Sequence, residues 1–73
     1  MAVHAPTIGT VAEFDAARGL GIVVGDDGTA LPFHCTAIAD GSRTIAVGTR
    51  VTFVAVPGHL GRIEARGLTP LHS

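Results

Sequence analysis

The chain of 73 residues has no lysine, no tryptophan and no tyrosine, and a single cysteine, Cys35. One cysteine excludes an intrachain disulfide framework, and with four dispersed histidines it gives no support to a structural zinc site. The fold must therefore stand on packing and hydrogen bonds. Without lysine, five arginines face six Asp and Glu residues, for a formal charge of −1. Proteins that live by affinity for a phosphate backbone draw on counterion release and normally carry a positive excess, so this balance argues against strong nonspecific nucleic-acid binding. Long hydrophobic runs are also missing. No stretch approaches the ~18 apolar residues of a membrane span, and the N-terminus lacks a basic segment followed by an apolar run. The expectation is a soluble intracellular protein without a membrane role.

What the chain has is aliphatic residues and glycine: 47% of its residues are hydrophobic, ten are glycine, and only three are aromatic, all phenylalanine. A domain of this length buries roughly 60% of the surface its unfolded chain exposes, so there is one small core and most aliphatics are needed in it. From about Ile8 onward, short runs rich in Val, Ile, Phe and Thr alternate with glycine-bearing turns at about ten-residue intervals, the pattern of an all-β barrel or sandwich. The runs are Gly9–Phe14, Leu20–Val24, Ala30–His34, Arg50–Val56 and Arg62–Leu68. Val51, Phe53 and Ala55 alternate with Thr52, Val54 and Val56. Arg62, Glu64 and Arg66 are expected on one face of the last strand, with Ile63, Ala65 and Gly67 on the other. Gly25-Asp-Asp-Gly28 and Pro57–Gly61 read as reversals. Pro32 cannot donate to a ladder and belongs at a sheet edge or bulge. Between the third and fourth strands lies an irregular stretch, Cys35–Gly48, in which Thr36–Ala39 can form one helical turn. Five short strands with a long connection after the third predict a small closed barrel of the OB type, with an SH3-like barrel left open by pattern. Residues 1–7 read as a flexible leader, 8–71 as the domain and 72–73 as a tail.

The order of short motifs carries more information than the periodicity. Gly9-Thr-Val-Ala-Glu-Phe-Asp15 resembles Gly-x-Val-x-Trp-Phe-Asn, the opening of the cold-shock domain family. Arg18-Gly-Leu-Gly-Ile-Val23 resembles that family's first ribonucleoprotein motif, Lys-Gly-Phe-Gly-Phe-Ile. Leu31-Pro-Phe-His34 resembles the second, Val-Phe-Val-His, and Thr36-Ala-Ile38 its following Ser-Ala-Ile. Val47-Gly-x-Arg-Val-x-Phe53 and Gly58-x-x-Gly61 follow in the same order, with one residue deleted near Asp40 to Ser42. The resemblance implies a five-stranded OB barrel in the cytoplasm, non-enzymatic and free of cofactors. It further implies binding of single-stranded RNA or DNA on a face of rings and basic groups, where rings stack on bases and Arg or Lys neutralises phosphate.

The resemblance also marks where this chain departs. Glu13 stands at the family's tryptophan, Leu20 and Ile22 at the phenylalanines of the first motif, Pro32 and Cys35 at phenylalanines of the second motif region, and Ser42 at the loop aromatic. Phe14 and His34 are the rings left on the expected face. Each lost ring removes about 1 to 3 kcal/mol of stacking, and ~1.4 kcal/mol is tenfold in affinity, so the expected binding is weak. The residues assigned to it are Phe14, Arg18, Leu20, Ile22 and His34, with Arg62 and Arg66 as further phosphate contacts. Against each stands a plainer role: Phe14 as barrel packing, Arg18 as a solvated turn charge, His34 as an ordinary strand histidine, and Arg62 and Arg66 as a solvated face diluted by Glu64. Cys35 reads as a small packed hydrophobe, pointing away from His34 as strand neighbours do. No nucleophile, base and oxyanion hole assemble, and no metal site is expected. The competing reading is a barrel turned into a protein-interaction or self-association module, forming a homodimer or holding a protein partner through the aliphatic patch of Leu20, Ile22 and Pro32.

Overall fold

A computed structural model describes residues 6–58 and 61–71 of the chain. Most of the expected leader, both tail residues and the tip of the last reversal lie outside the described residues. The five expected runs are five strands: β1 (Thr7–Asp15), β2 (Leu20–Gly25), β3 (Ala30–His34), β4 (Arg50–Pro57) and β5 (Ile63–Pro70). They form one antiparallel sheet in the order β3-β2-β1-β4-β5. β1 starts at Thr7, two residues before the run that predicts it, because Thr7 and Ile8 pair with Phe53 and Thr52 of β4.

Period-2 alternation decides what goes inside. In β2, Gly21, Val23 and Gly25 are buried while Leu20 is exposed and Ile22 and Val24 are half-buried. In β4, Val51 and Phe53 are buried between half-buried or exposed neighbours. The resulting core is Val11, Val23, Phe33, Ala37, Ile38, Val51, Phe53, Ala65 and Leu68, with Phe14, Leu31, Cys35 and Ile45 packed against it. Gly21 is required by close approach: a Cβ there would stand 2.5 Å from Phe33 Cζ and 2.7 Å from the Glu13 carbonyl oxygen.

The sheet curls until its two edges meet. Ile38 bridges Leu68, and the Ala39 N–H donates to the Leu68 carbonyl at 2.8 Å. The barrel is thus closed by a bridge beside the 3-10 turn Cys35–Ala37, not by a full ladder between β3 and β5. This is an OB-type all-β fold. Pro32 lies on β3, an edge strand of the sheet, where a missing N–H costs least.

Two bulges correct the simple alternation. In β1 the register slips between Val11 and Glu13, leaving Ala12 as an extra residue. In β5 the partners run Thr52↔Thr69 and then Val54↔Arg66, so Gly67 and Leu68 together face Phe53. Gly67 has φ 65°, the left-handed conformation in which a glycine opens a bulge. The expected single face of Ile63, Ala65 and Gly67 is therefore broken: Ala65 and Leu68 are buried, and Ile63 is 47% exposed. Arg62 precedes the strand, and Glu64 is half-buried.

Candidate nucleic-acid interface

β1 pairs with β4 only through Thr7–Thr10, whereas it pairs with β2 up to Asp15. Past Thr10, Val11 bonds to Thr49 and Gly48, just ahead of β4. The turn that follows is fixed by Asp15, whose carboxylate accepts from the Ala17 and Arg18 N–H groups at 3.0 and 3.2 Å. This local chemistry, of an Asp bonding the backbone ahead of it, explains why the chain reverses where it does. It also sets Arg18 beside the start of β2.

The surface of this region, where β1, β2 and β3 meet, is a concavity of about 400 Å³ lined by Glu13, Phe14, Asp15, Arg18, Leu20, Gly21, Ile22 and Pro32. Ladder register accounts for the grouping: Ile22 faces Pro32 and Glu13, while Leu20 faces His34 and Asp15. Four of the five principal residues singled out from the sequence, Phe14, Arg18, Leu20 and Ile22, come together here. His34 stands next to them, opposite Leu20. Arg62 and Arg66 do not line the concavity; they lie at and before β5, the other edge of the sheet.

Each side chain has a definite state. The Phe14 ring is stacked on Phe33, with centroids 5.9 Å apart and planes 13° from parallel, so one face packs toward the core while the residue remains half-buried. Leu20 is 47% exposed. Arg18 Nε is 3.9 Å from Asp15 Oδ2, and both side chains are largely exposed. A pair that long and that wet contributes little, which leaves the guanidinium available to a ligand. His34 caps the 3-10 turn: the Thr36 N–H donates to its Nδ1 at 3.2 Å, and Thr36 Oγ1 lies 3.0 Å from the same nitrogen. A nitrogen that accepts carries no proton, so the neutral ring is protonated at Nε2 and keeps that N–H as a donor.

Strand β3 ends at His34 and Cys35 opens the turn, so the two side chains do not point apart as strand neighbours would. Cys35 Sγ lies 3.8 Å from His34 Nδ1, and the thiol is partly buried against the core. Among the described residues, no three His, Cys, Asp or Glu side chains converge as metal ligands would.

Two arginines were not given their roles by sequence reasoning. Arg50 holds Asp26 through two bonds, of 2.8 and 3.0 Å, and also donates to Thr10 Oγ1 at 3.1 Å. It is thereby committed to tying the β2–β3 turn to β4. The Arg50 hydrogen bond holds the Asp26 carboxyl below the usual carboxylate range, and Asp26 in turn raises Arg50. Asp27 and Asp40 are lowered as well, by the N–H groups of Thr29 and Ser42 that they cap. Arg43 lines a second concavity, of about 460 Å³, together with Cys35, Thr36, Ile38, Gly41 and Ser42. The available signal was its place in the irregular connection that follows the second motif.

Comparison with known proteins finds a family model and relatives that the chain resembles. A sequence model described as the 'Cold-shock' DNA-binding domain matches residues 7–70. The chain is 41% identical over 54 residues to Cold shock protein 2 of Lactiplantibacillus plantarum, an alignment covering 73% of this chain and 82% of that protein. It is 44% identical over 46 residues to Cold shock protein 1 of the same organism, covering 62% of this chain and 70% of the relative.

Proposed function

The chain belongs to the cold-shock domain family, a nucleic-acid-binding family, and from that premise we propose that it binds a single strand of RNA or DNA, weakly, on the face formed by β1 to β3. The observation that carries this reading is the concavity in which Phe14, Arg18, Leu20 and Ile22 meet beside His34. A base seated there lies on an apolar floor, Arg18 neutralises an adjacent phosphate, and the Nε2–H of His34 donates to a base edge or a phosphate oxygen. Arg62 and Arg66, which do not line the concavity, serve only as outlying phosphate contacts for a longer strand. The work is binding alone, without cofactor or bond-breaking chemistry. The family resemblance and the free thiol of Cys35 favour the cytoplasm.

Weakness follows from what lines the concavity. Aliphatic side chains bury base surface but lack the flat faces on which bases stack for about 1 to 3 kcal/mol each. The experiment is titration with short strands, comparing the parent with a double variant, Arg18→Ala with His34→Ala. Oligonucleotide affinity that is unchanged in the double variant contradicts the site.

A second reading rests on Leu20, which is 47% exposed and shares the concavity with Ile22 and Pro32. This aliphatic surface suits a protein partner or a second copy of the chain. Such association resists salt and is weakened by Leu20→Asp, whereas strand binding weakens with salt.

A further inference from the structure

Within the proposed concavity the side chains do not all favour a strand of any sequence. Two acidic residues line it, Glu13 and Asp15. Asp15 is occupied: it accepts from Ala17 and Arg18 and lies near the Arg18 guanidinium. Glu13 is not. Its side chain is exposed and makes no hydrogen bond or ion pair among the described residues. The bulge at Ala12 sets Glu13 opposite Ile22, which faces Pro32 on the next strand, so the carboxylate stands at the margin of the apolar floor.

An ionised carboxylate only accepts hydrogen bonds, and it repels phosphate and carbonyl oxygens. A ligand that fills the concavity must therefore turn donors toward Glu13. Among the bases, exocyclic amines and ring imide N–H groups supply them, and carboxylates pair with the N4 amine of cytosine. Uracil has the same size and the same ring, but presents O4, an acceptor, where cytosine presents that amine, and its one edge donor, N3–H, lies between two carbonyl oxygens that a carboxylate repels. We propose that Glu13 is a specificity-determining residue that accepts a hydrogen bond from the exocyclic amine of a base, so that the site prefers cytosine to uracil. This inference rests on the reading that the concavity is a single-strand site. It assigns a reading role to a position where the sequence shows only a charge hostile to phosphate.

The test is amide NMR titration with oligodeoxycytidine and oligodeoxyuridine of equal length, using the parent chain and Glu13→Gln. Because Glu13 is exposed, the variant is expected to fold as the parent does, and its unliganded spectrum checks this. The expected result is affinity about tenfold higher for the cytidine strand in the parent, with the difference falling to about twofold or less in Glu13→Gln, whose amide offers both a donor and an acceptor. Equal affinity of the parent for both strands, or a gain in Glu13→Gln that is the same for both, overturns the inference and reduces Glu13 to general repulsion; binding itself then survives. No binding of either strand to the parent overturns the single-strand reading, and the inference with it.

Discussion

Arg18 is the one cation among the residues lining the first concavity, and its Asp15 contact is long and solvated. Its removal is expected to weaken strand binding about tenfold, and to reduce the slope of log affinity against log salt by about 0.7, the value for one phosphate of a single strand. Titrations of Arg18→Ala at three salt concentrations check this; a lost affinity with an unchanged slope assigns Arg18 a different role. His34 Nδ1 accepts from the Thr36 backbone N–H. Thr36→Val removes the hydroxyl but keeps the backbone N–H, so Nδ1 stays an acceptor and strand affinity is expected to stay within about twofold of the parent. At this scale the sequence was informative: Phe14, Arg18, Leu20 and Ile22 were singled out, and they meet. What it left unseen was the state of each group. Nothing in the residue order says that the Phe14 ring is stacked on Phe33, or that Asp15 is already spent on the turn.

Strands were legible because β-branched and aromatic residues alternate with polar ones between strong turns, and each expected run coincides with an observed strand to within a few residues. Bulges were not legible, since a period-2 reading has no place for an inserted residue. Leu68 is fully buried only because Gly67 adopts a positive φ ahead of it. Gly67→Ala forces a Cβ into that conformation and is expected to destabilise by about 1 kcal/mol, or roughly 4–8 °C in Tm for a domain of this size. Gly21→Ala is a sharper test, because the added methyl meets the Phe33 ring and the Glu13 carbonyl. A loss of about 1–3 kcal/mol is expected from such overpacking, read by thermal melting. Both variants melting like the parent contradicts the register described here.

The link between the β2–β3 turn and β4 gives a pH prediction. Asp26 has a folded-state pKa below its unfolded value, because Arg50 donates to its carboxylate. The stability this contributes is present above the unfolded value of about 3.9 and is lost as pH falls through the lowered folded value. Asp27 and Asp40 add the same sign through their capped N–H groups. Melting temperature is expected to fall on acidification below about pH 4, and Asp26→Asn to flatten part of that fall. An acid limb identical in the variant contradicts a role for the pair. Arg50 and Asp26 are separated by 24 residues in sequence, and only the fold brings them together.

For the whole molecule, the arithmetic of charge acquires a place. Of five arginines, Arg50 is bound to Asp26, Arg62 and Arg66 lie away from the concavity, and Arg43 lines a separate one, so Arg18 alone remains beside the apolar floor. A formal charge of −1 then predicts no long-range attraction to a polyanion and a short contact with few phosphates. The family and its barrel were readable from motif order, which survives replacement of rings by aliphatics. The strength of the strand binding proposed for the β1–β3 face was not, because stacking depends on side chains that the motifs have lost. The most direct measurement is an amide NMR titration with a short pyrimidine strand at low and then moderate salt, intrinsic fluorescence being a poor probe in a chain without Trp or Tyr. Shifts confined to Phe14, Arg18 to Ile22 and His34 that fade as salt rises are the predicted result. No shifts at millimolar strand contradict the account, and show a barrel inherited without its nucleic-acid chemistry.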